Sequence, residues 1–460
     1  VKTFFQTRFK SILIDEFQDT NTIQYKWLQE IASDKTNVTA VGDDDQSIYG
    51  WRGAKVEHVN SFTEDFKGTE VVRLEQNYRS TNIILDAANA LIDNNKERLG
   101  KNLWTDKLEG EKIILYQAYN EQDEARFVAD VLKDWMNKGG VYEDTAVLYR
   151  SNAQSRAIEE ALLRVSIPYR IYGGLRFYER LEIKNAIAYL RVIFNNNDNP
   201  SFERSVSNPT RGVGEKTLAK IRHCAKQYNI SYIKASAKLI DEGSISGRGG
   251  AGLKDYLEFI AGCKSFIEEN LLSELMELII KESGLYAYHA KEPGEKGKTR
   301  TENLEELITA TKNFEQSITE ERSNIEISES YLDIISLDSG DRQASEHDDA
   351  AQLMTMHSAK GLEFKLVLLT GLEESLFPHG RSMESTSQLE EERRLCYVAI
   401  TRAMEKLYIT HTESRRLYGT DTINPPSRFL KEIPKDLIDE IRPRAQTNIP
   451  YNRRDFKETK

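Results

Sequence analysis

The chain has 460 residues, enough for roughly two to four domains, and its 39 % hydrophobic and 30 % charged residues belong to an ordinary globular protein rather than a disordered one. A formal net charge of −11 argues against a protein that coats DNA through overall electrostatics, while leaving room for a local basic track. Three cysteines (Cys224, Cys263, Cys396) lie far apart with no Cys-x-x-Cys, so neither a disulfide frame nor a zinc site is expected and a reducing cytoplasm is the simplest compartment.

The opening VKTFFQTRFKSIL is basic and apolar, but it has no cleavage-type small residues and runs straight into a strand, so it does not read as a signal peptide. It lacks an initiator Met, which leads us to expect a truncated start. No apolar run approaches the ~18 residues that a membrane span needs. Ile12–Ile14 and Val38–Val41 are compact apolar runs, each followed by acids, as parallel strands read when buried on both faces. Between them TIQYKWLQEIA carries Ile23, Trp27, Leu28 and Ile31 at helical spacing. Residues 76–172 continue in α/β style, with a helix in DAANALIDNN, strands in IILYQA and DTAVLYR, and a helix in SRAIEEALLRV. From 173 to 347 the pattern is mostly helical, as in NLEELITATKNF, and it closes on the acidic run SLDSGDRQASEHDDAA. A helical insertion splitting an α/β domain is the economical reading. A second α/β stretch follows at about 350–436, with strands in KLVLLTGL and KLYITHT, and the final IRPRAQTNIPYNRRDFKETK reads as a mobile tail. No internal repeat points to a solenoid.

Several segments carry chemistry. Asp15 and Glu16 end the apolar strand ILI, and a strand end aims carboxylates into the crevice of an open α/β sheet. Asp15 suits holding hydrated Mg²⁺, and Glu16 suits polarising an attacking water in phosphoryl transfer. A bare acid pair more often just starts a loop; here FQDTN follows it. In VGDDDQSIYGWRGA, Gln46 can donate to a phosphate and accept from a water. Tyr49, Trp51 and Arg52, with Gly50 and Gly53 opening the backbone, have the make-up of a base-stacking platform for single strands, although aromatics in general are more often core. LEQNYRS sets Tyr78 beside Arg79, whose planar fork suits phosphate oxygens.

In TMHSAKGLEF, Ser358 to Gly361 can form a turn and short helix whose N–H groups face an anion, while His357 is either a packed neutral histidine or a functional one. LEEERRLCYVAITRAMEKL reads as a helix in which Leu395, Val398, Ala399 and Arg402 form one stripe, so that Arg402 ends a buried face and needs an anionic partner. Arg393 and Arg394 read as surface or salt-bridged, given the glutamates before them. TRGVGEKTL (210–218) and SGRGGAGLKDYL (246–257) read as Gly-containing turns that either clamp duplex phosphates or simply connect helices. GEKGKT (294–299) ends like a phosphate loop, but Glu292 stands where that loop needs its first Gly, and no apolar strand precedes it.

Taken in this order, ILIDEFQDTN, VGDDDQSIYGWRGA, LEQNYRS, TMHSAKGLEF and YVAITRA resemble the superfamily 1 DNA helicases of the UvrD/Rep/PcrA type. LYRSNAQSR, PYRIYGGLRFYER, GEKGKTRTENLEEL and PSRFL extend the likeness from about residue 5 to about residue 435. The resemblance implies an α/β fold of RecA-like parallel-sheet motor domains, the first one partial, with a mostly helical insertion in the second. Residues 1–75 would be the end of the first motor domain, 76–172 and 348–436 the second, 173–347 the insertion and 437–460 a flexible tail. It implies ATP and Mg²⁺ as cofactors, single-stranded DNA and single/double-strand junctions as partners together with DNA-repair proteins, no membrane, and the bacterial cytoplasm and nucleoid as location.

By resemblance Gln46 reports the γ-phosphate, Tyr78 stacks on adenine, and Arg79 and Arg402 reach the phosphates. Glu363 accepts from the ribose, Trp51 and Tyr49 stack on DNA, and His357 and Lys360 lie near the DNA backbone or link the two sites. The phosphate-binding Gly-x-x-x-x-Gly-Lys-Thr loop of these helicases is absent from the sequence. We therefore expect a fragment of an ATP-dependent 3′→5′ DNA helicase, inactive by itself, whose residues 1–75 expose an unstable sheet edge. The alternative is a non-catalytic DNA-binding or regulatory protein that has lost its ATPase; the intact acids and arginines speak against it. A helicase–nuclease finds no support, since no further acid cluster follows residue 410.

Overall fold

The computed structural model describes residues 1–96, 98–107, 110–319, 322–340, 348–417 and 420–441, and the side chains of 337–340, 417 and 420 are left aside. Two short runs of apolar residues open the chain: β1 (Ser11–Ile14) pairs in parallel with β2 (Asn37–Ala40), Ile12 facing Val38. The connecting helix Thr22–Ile31 starts at a capping box, Asn21 accepting from the N–H groups of Ile23 and Gln24 while Gln24 reaches back to the Asn21 N–H. It buries Tyr25, Leu28 and Ile31, the first two packed with Phe17 and Phe62. The expected stripe was half wrong, because Ile23 and Trp27 are 80 % and 62 % exposed. Tyr25 takes their place on the buried face, its hydroxyl fixed to Asp65 at 2.7 Å. Among the described residues β1 and β2 have no further strand neighbour, and Leu13 of β1 is 74 % exposed.

A second sheet has seven strands, all parallel: β3 (Ile113–Ala118), β4 (Thr145–Tyr149), β5 (Tyr169–Ile171), β6 (Ala351–Thr355), β7 (Phe364–Leu369), β8 (Ala403–Thr412) and, after a small antiparallel pair β9 (Arg415–Leu417) and β10 (Thr420–Thr422), β11 (Ile438–Ile441). The order is β11-β3-β8-β7-β4-β6-β5. The run TAVLY of β4 is buried at every position, as a strand covered on both faces must be. Helices Asn82–Ile92 and Thr386–Ile400 cover one face, and helices Glu121–Asn137 and Ser155–Arg164 the other. The sheet continues through Ile441, past residue 436; the expected tail from 442 onward lies outside the described residues, as does 341–347 of the acidic run.

Helices from Leu181–Phe194 to Asn324–Gly340 enclose a core of their own, as the pattern of 173–347 predicts. GEKGKT opens the long helix Glu295–Ser317, with Gly294 as its N-cap, and so forms no phosphate loop. That helix returns to the large sheet unit through Ser151–Glu302 (2.8 Å), Arg156–Glu306 (2.7 Å) and Arg180–Asn303 (2.9 Å). The segment 246–257 is not a turn: it enters helix Gly247–Glu269 almost at once. Its glycines let that helix approach the 210–214 turn, since a Cβ on Gly252 would fall 2.1 Å from the Arg211 carbonyl oxygen. The helix read through 389–407 also needs correction. It stops at Ile400, and AMEKLYITHT is strand β8, because Leu407 and Ile409 are required in the sheet beside β7.

Candidate active site

β1 delivers Asp15 and Glu16 to its carboxyl end, as read from the sequence. Glu16 has the left-handed backbone (φ 49) that turns the chain into the short helix Phe17–Asp19, and its N–H donates to the Asp15 carboxylate at 2.9 Å. The Glu16 carboxylate meets the Gln18 amide at 2.6 Å and the Lys360 ammonium at 3.1 Å. Lys360 lies across the boundary between the two sheets: it also pairs with Asp19 at 2.6 Å and donates to the Gln46 carbonyl at 3.0 Å. Burial raises the Asp19 carboxyl and Lys360 opposes that rise. Lys360 thus joins the two units through three oxygens. Asp15 stays exposed, a hard oxygen donor open to a hydrated divalent ion.

The loop after β2 leaves its own unit and packs on the other. Asp43 caps the turn Asp44–Gln46, accepting from the Asp45 N–H at 3.0 Å, and accepts from the Gln46 side-chain amide at 2.7 Å. Ser47 accepts from Arg394 at 2.9 Å through its carbonyl, Ile48 is buried in the core of the large sheet, and the Tyr49 hydroxyl donates to the His357 carbonyl at 3.4 Å. The Gly50 N–H donates to Glu391 at 3.0 Å, and a Cβ on Gly50 would lie 2.6 Å from that carboxylate, so a larger residue would have to displace it. Arg52 spreads its guanidinium over Tyr49 and Trp51, 4.9 and 4.5 Å from the ring centroids, and the two rings meet edge-to-face at 6.4 Å. Trp51 is 49 % exposed. Aromatic and cationic surface therefore sit together on a loop tip, the composition of a stacking shelf for bases.

Asp43, Asp44 and Asp45 lie close enough together to share an ion. Each already has a partner within the chain: Arg98 grips Asp45 with two hydrogen bonds of 2.9 Å, the Leu99 N–H donates to Asp44 at 2.8 Å, and Lys101 pairs with Asp43. The triple is engaged in contacts within the chain, whereas the Asp15 carboxylate is exposed.

On the second unit Arg79 pairs with Glu363 at 2.5 Å, while Tyr78 is 75 % exposed with its hydroxyl on Gln76 at 2.7 Å. Arg402 stands in the turn between helix Thr386–Ile400 and β8, not on the helix, and is 2 % exposed. It donates to the carbonyls of Val398 and Leu362, each at 3.0 Å, and to the Thr401 hydroxyl at 3.1 Å. All three are neutral oxygens. Burial, with the neighbouring Arg79 charge, lowers its pKa to about 10. A buried cation beside a second cation, with no carboxylate of its own, is a place where an incoming anion gains a great deal. His357 is half-buried, and burial together with the Arg150 charge lowers its pKa to about 3, which favours the neutral ring.

The structure thus gathers Glu16, Gln46, Tyr49, Trp51, Arg52, His357 and Lys360 into one connected set, and Arg79, Glu363 and Arg402 into another. Asp15 joins the first only through the Glu16 N–H, and Tyr78 is tied to neither. Sequence reasoning missed Asp19, Arg98, Lys101, Glu391 and Arg394. One signal for two of them was present: three successive acids need cations, and RLGK supplies two.

The family model described as the UvrD-like helicase C-terminal domain matches residues 72–247 and 252–414, and that of the UvrD/REP helicase N-terminal domain matches residues 1–67. The chain is 51 % identical over 448 residues to DNA helicase II of Escherichia coli, covering 97 % of this chain and 62 % of that protein. It is 50 % identical over 448 residues to DNA helicase II of Salmonella typhimurium, with the same 97 % and 62 % coverage. To the ATP-dependent DNA helicase PcrA of Staphylococcus aureus it is 42 % identical over 472 residues, covering 100 % of this chain and 63 % of the relative. The chain therefore spans about three fifths of the length of these curated relatives.

Proposed function

The chain belongs to the UvrD-like helicase family, and we propose that it serves as part of an ATP-dependent DNA helicase that unwinds in the 3′→5′ direction. In this reading residues 1–75 contribute to a first RecA-like motor domain, 76–172 and 348–441 form the second, and 173–347 are its helical insertion. Single-stranded DNA and its junctions with duplex are the substrates, DNA-repair proteins the partners, and the bacterial cytoplasm the setting. No helix among the described residues is long and apolar enough to cross a membrane.

The observation that carries the proposal is Arg402, buried among neutral oxygens beside Arg79. A triphosphate would supply the charge this pair lacks, and the two forks would stabilise the phosphoryl group in transfer. Mg²⁺ bound at Asp15 would neutralise phosphate oxygens. Glu16, released from Lys360, would take a proton from the attacking water, and Gln46 would orient that water against the γ-phosphate. Tyr78, with its ring exposed, would stack on adenine, and Glu363 would accept from the ribose. Trp51 and Tyr49 would stack on successive bases while Arg52 screens the backbone. A purely DNA-binding role would leave Arg402 buried for no purpose.

These 460 residues contain no phosphate loop, so we propose that they do not turn over ATP unaided. The test is DNA-stimulated ATPase of the chain alone, and of the chain with a polypeptide supplying the loop, each also as Glu16→Gln. Turnover that needs the added polypeptide and vanishes in Glu16→Gln is expected. Turnover by the chain alone would overturn the inactivity; no turnover in the complemented pair, despite stable association, would overturn the helicase reading.

A further inference from the structure

The loop Asp43–Arg52 follows strand β2, where Gln18 holds Asp43 and Ser47, yet the contacts to its three acids, to Ile48, Tyr49 and Gly50 come from the second unit. We infer that the segment Arg98–Lys101 is a positioning element that registers this loop, with Gln46 and the Tyr49–Trp51 shelf, on the large sheet unit by gripping its acids. The inference rests on the DNA reading of the shelf given above.

The pairing is complete on both sides. Asp45 is buried and receives the Arg98 fork in two hydrogen bonds of 2.9 Å, a geometry lysine cannot reproduce. The Leu99 N–H takes the second acid, Asp44, at 2.8 Å, and Lys101 takes Asp43. Arg98 also donates to the Lys101 carbonyl at 3.1 Å, closing the segment on itself. Three carboxylates thus meet one guanidinium, one ammonium and one backbone N–H, all within four residues.

The grip reaches the functional atoms in one step. The carboxylate of Asp43 that Lys101 holds also accepts from the Gln46 amide at 2.7 Å, so Lys101 sets where that amide points. Lys101 in turn lies 5.9 Å from the Tyr397 ring, on the helix that leads to Arg402. Downstream, the same loop is pinned by Arg394 at Ser47 and by Glu391 at Gly50. Losing the Lys101 charge would leave Asp43 with a half-buried, unmatched carboxylate, free to turn to solvent and take Gln46 with it.

The experiment measures the affinity of the 460-residue chain for a fluorescent oligothymidylate at fixed salt, for the wild type, Trp51→Ala, Lys101→Met, Lys101→Arg and Asp43→Asn/Lys101→Met. Hydrogen exchange of amides 43–54 is read on the same proteins. Lys101→Met is expected to weaken binding about tenfold, Lys101→Arg to stay within about twofold of wild type, and the double variant to be no worse than Lys101→Met, because both changes remove one interaction. Exchange in 43–54 rises in Lys101→Met and not in Lys101→Arg.

If Trp51→Ala weakens binding while Lys101→Met matches wild type, the positioning role is wrong and the DNA shelf stands. A double variant that binds more weakly than Lys101→Met would also overturn it, since the two changes would then remove more than one interaction. If Trp51→Ala binds as wild type, the shelf reading fails instead. Exchange then decides the positioning role alone: faster 43–54 amides in Lys101→Met support it, and unchanged amides refute it.

Discussion

Replacing Lys360 by Met separates a link between the two units from a contact with DNA. Its ammonium is nearly buried and touches three oxygens, on Asp19 (2.6 Å), the Gln46 carbonyl (3.0 Å) and Glu16 (3.1 Å). The Glu16 pair is half exposed on the carboxylate side and contributes little. Asp19 carries the cost, because its other carboxylate oxygen is already buried without a partner. Leaving it unmatched costs about 2–3 kcal/mol, which is a rise of about 30- to 150-fold in the open population of the contact. Hydrogen exchange of the Phe17–Thr20 and Gln46–Ala54 amides should accelerate by that factor. In oligothymidylate titrations at several salt concentrations, the slope of log affinity against log salt should not change, because no phosphate contact has been lost. A slope smaller by about one, with exchange unaltered, would refute the reasoning and return Lys360 to the DNA backbone.

The fork of Arg402 predicts an opposition between stability and activity: Arg402→Met should melt no lower than wild type, because it removes a buried cation that neutral oxygens only partly satisfy, yet it should abolish turnover in the complemented ATPase assay. Arg156→Met should lower stability by about 3–5 kcal/mol by stranding Glu306, and adding Glu306→Gln should recover most of the loss in a thermal melt. Glu306 itself is raised by burial from 4.5 to about 7, so the folded chain holds a proton the unfolded chain releases; stability should fall on the order of 3 kcal/mol as pH rises across that window, and Glu306→Gln should flatten the fall. His357 has the opposite sign: its folded pKa lies near 3, so stability should drop as pH falls from about 6.5, and His357→Asn should reduce that drop in melts taken from pH 7 to pH 4. Gly50→Ala should weaken oligothymidylate binding about three- to tenfold by pushing the Glu391 carboxylate from the loop, and Gly50→Ala with Glu391→Ala should regain most of it.

Strands whose own residues are apolar in a continuous run were readable from the chain. TAVLY, IILYQA and FKLVLL are apolar enough to be central parallel strands wherever they fall, and all three are. The helix Thr22–Ile31 announced itself by Asn21 and Gln24, but its buried face did not, because Tyr25 is drawn in by Asp65, forty residues away. Helical spacing carried the reading of 389–407 through Arg402 into what is strand β8; a strand flanked by β3 and β7 is decided by those partners, which periodicity cannot see. Within the site, the acids, aromatics and arginines were legible as residue types. Their partners were not: Lys360 on Asp19 spans 341 positions, and Gly50 on Glu391 the same. Arg402 is the instructive case: its burial was expected from a helical stripe, but it stands in the turn after the helix and within the chain donates to three neutral oxygens.

The contacts between the two units are an exchange rather than a simple docking. From the large sheet, Lys360 reaches into the acids that follow β1; from the small one, the loop after β2 sinks Ile48 into the large core and offers its acids to Arg98 and Lys101. Each unit therefore holds part of the other's machinery. Rigid separation of the units would have to break a buried ion pair on each side at once, at a cost well above thermal energy. Relative motion consequently has a cheaper course if the loop Asp43–Arg52 travels with the large unit, giving up the Gln18 contacts to the Asp43 N–H and the Ser47 hydroxyl. Glu16 would then change its distance from Gln46 whenever the units move, with Lys360 either bridging the two or released from both. On the helicase reading proposed above, Glu16 acting on the attacking water and Gln46 reading the phosphate would come into register only in one arrangement of the units, which is what coupling hydrolysis to movement requires.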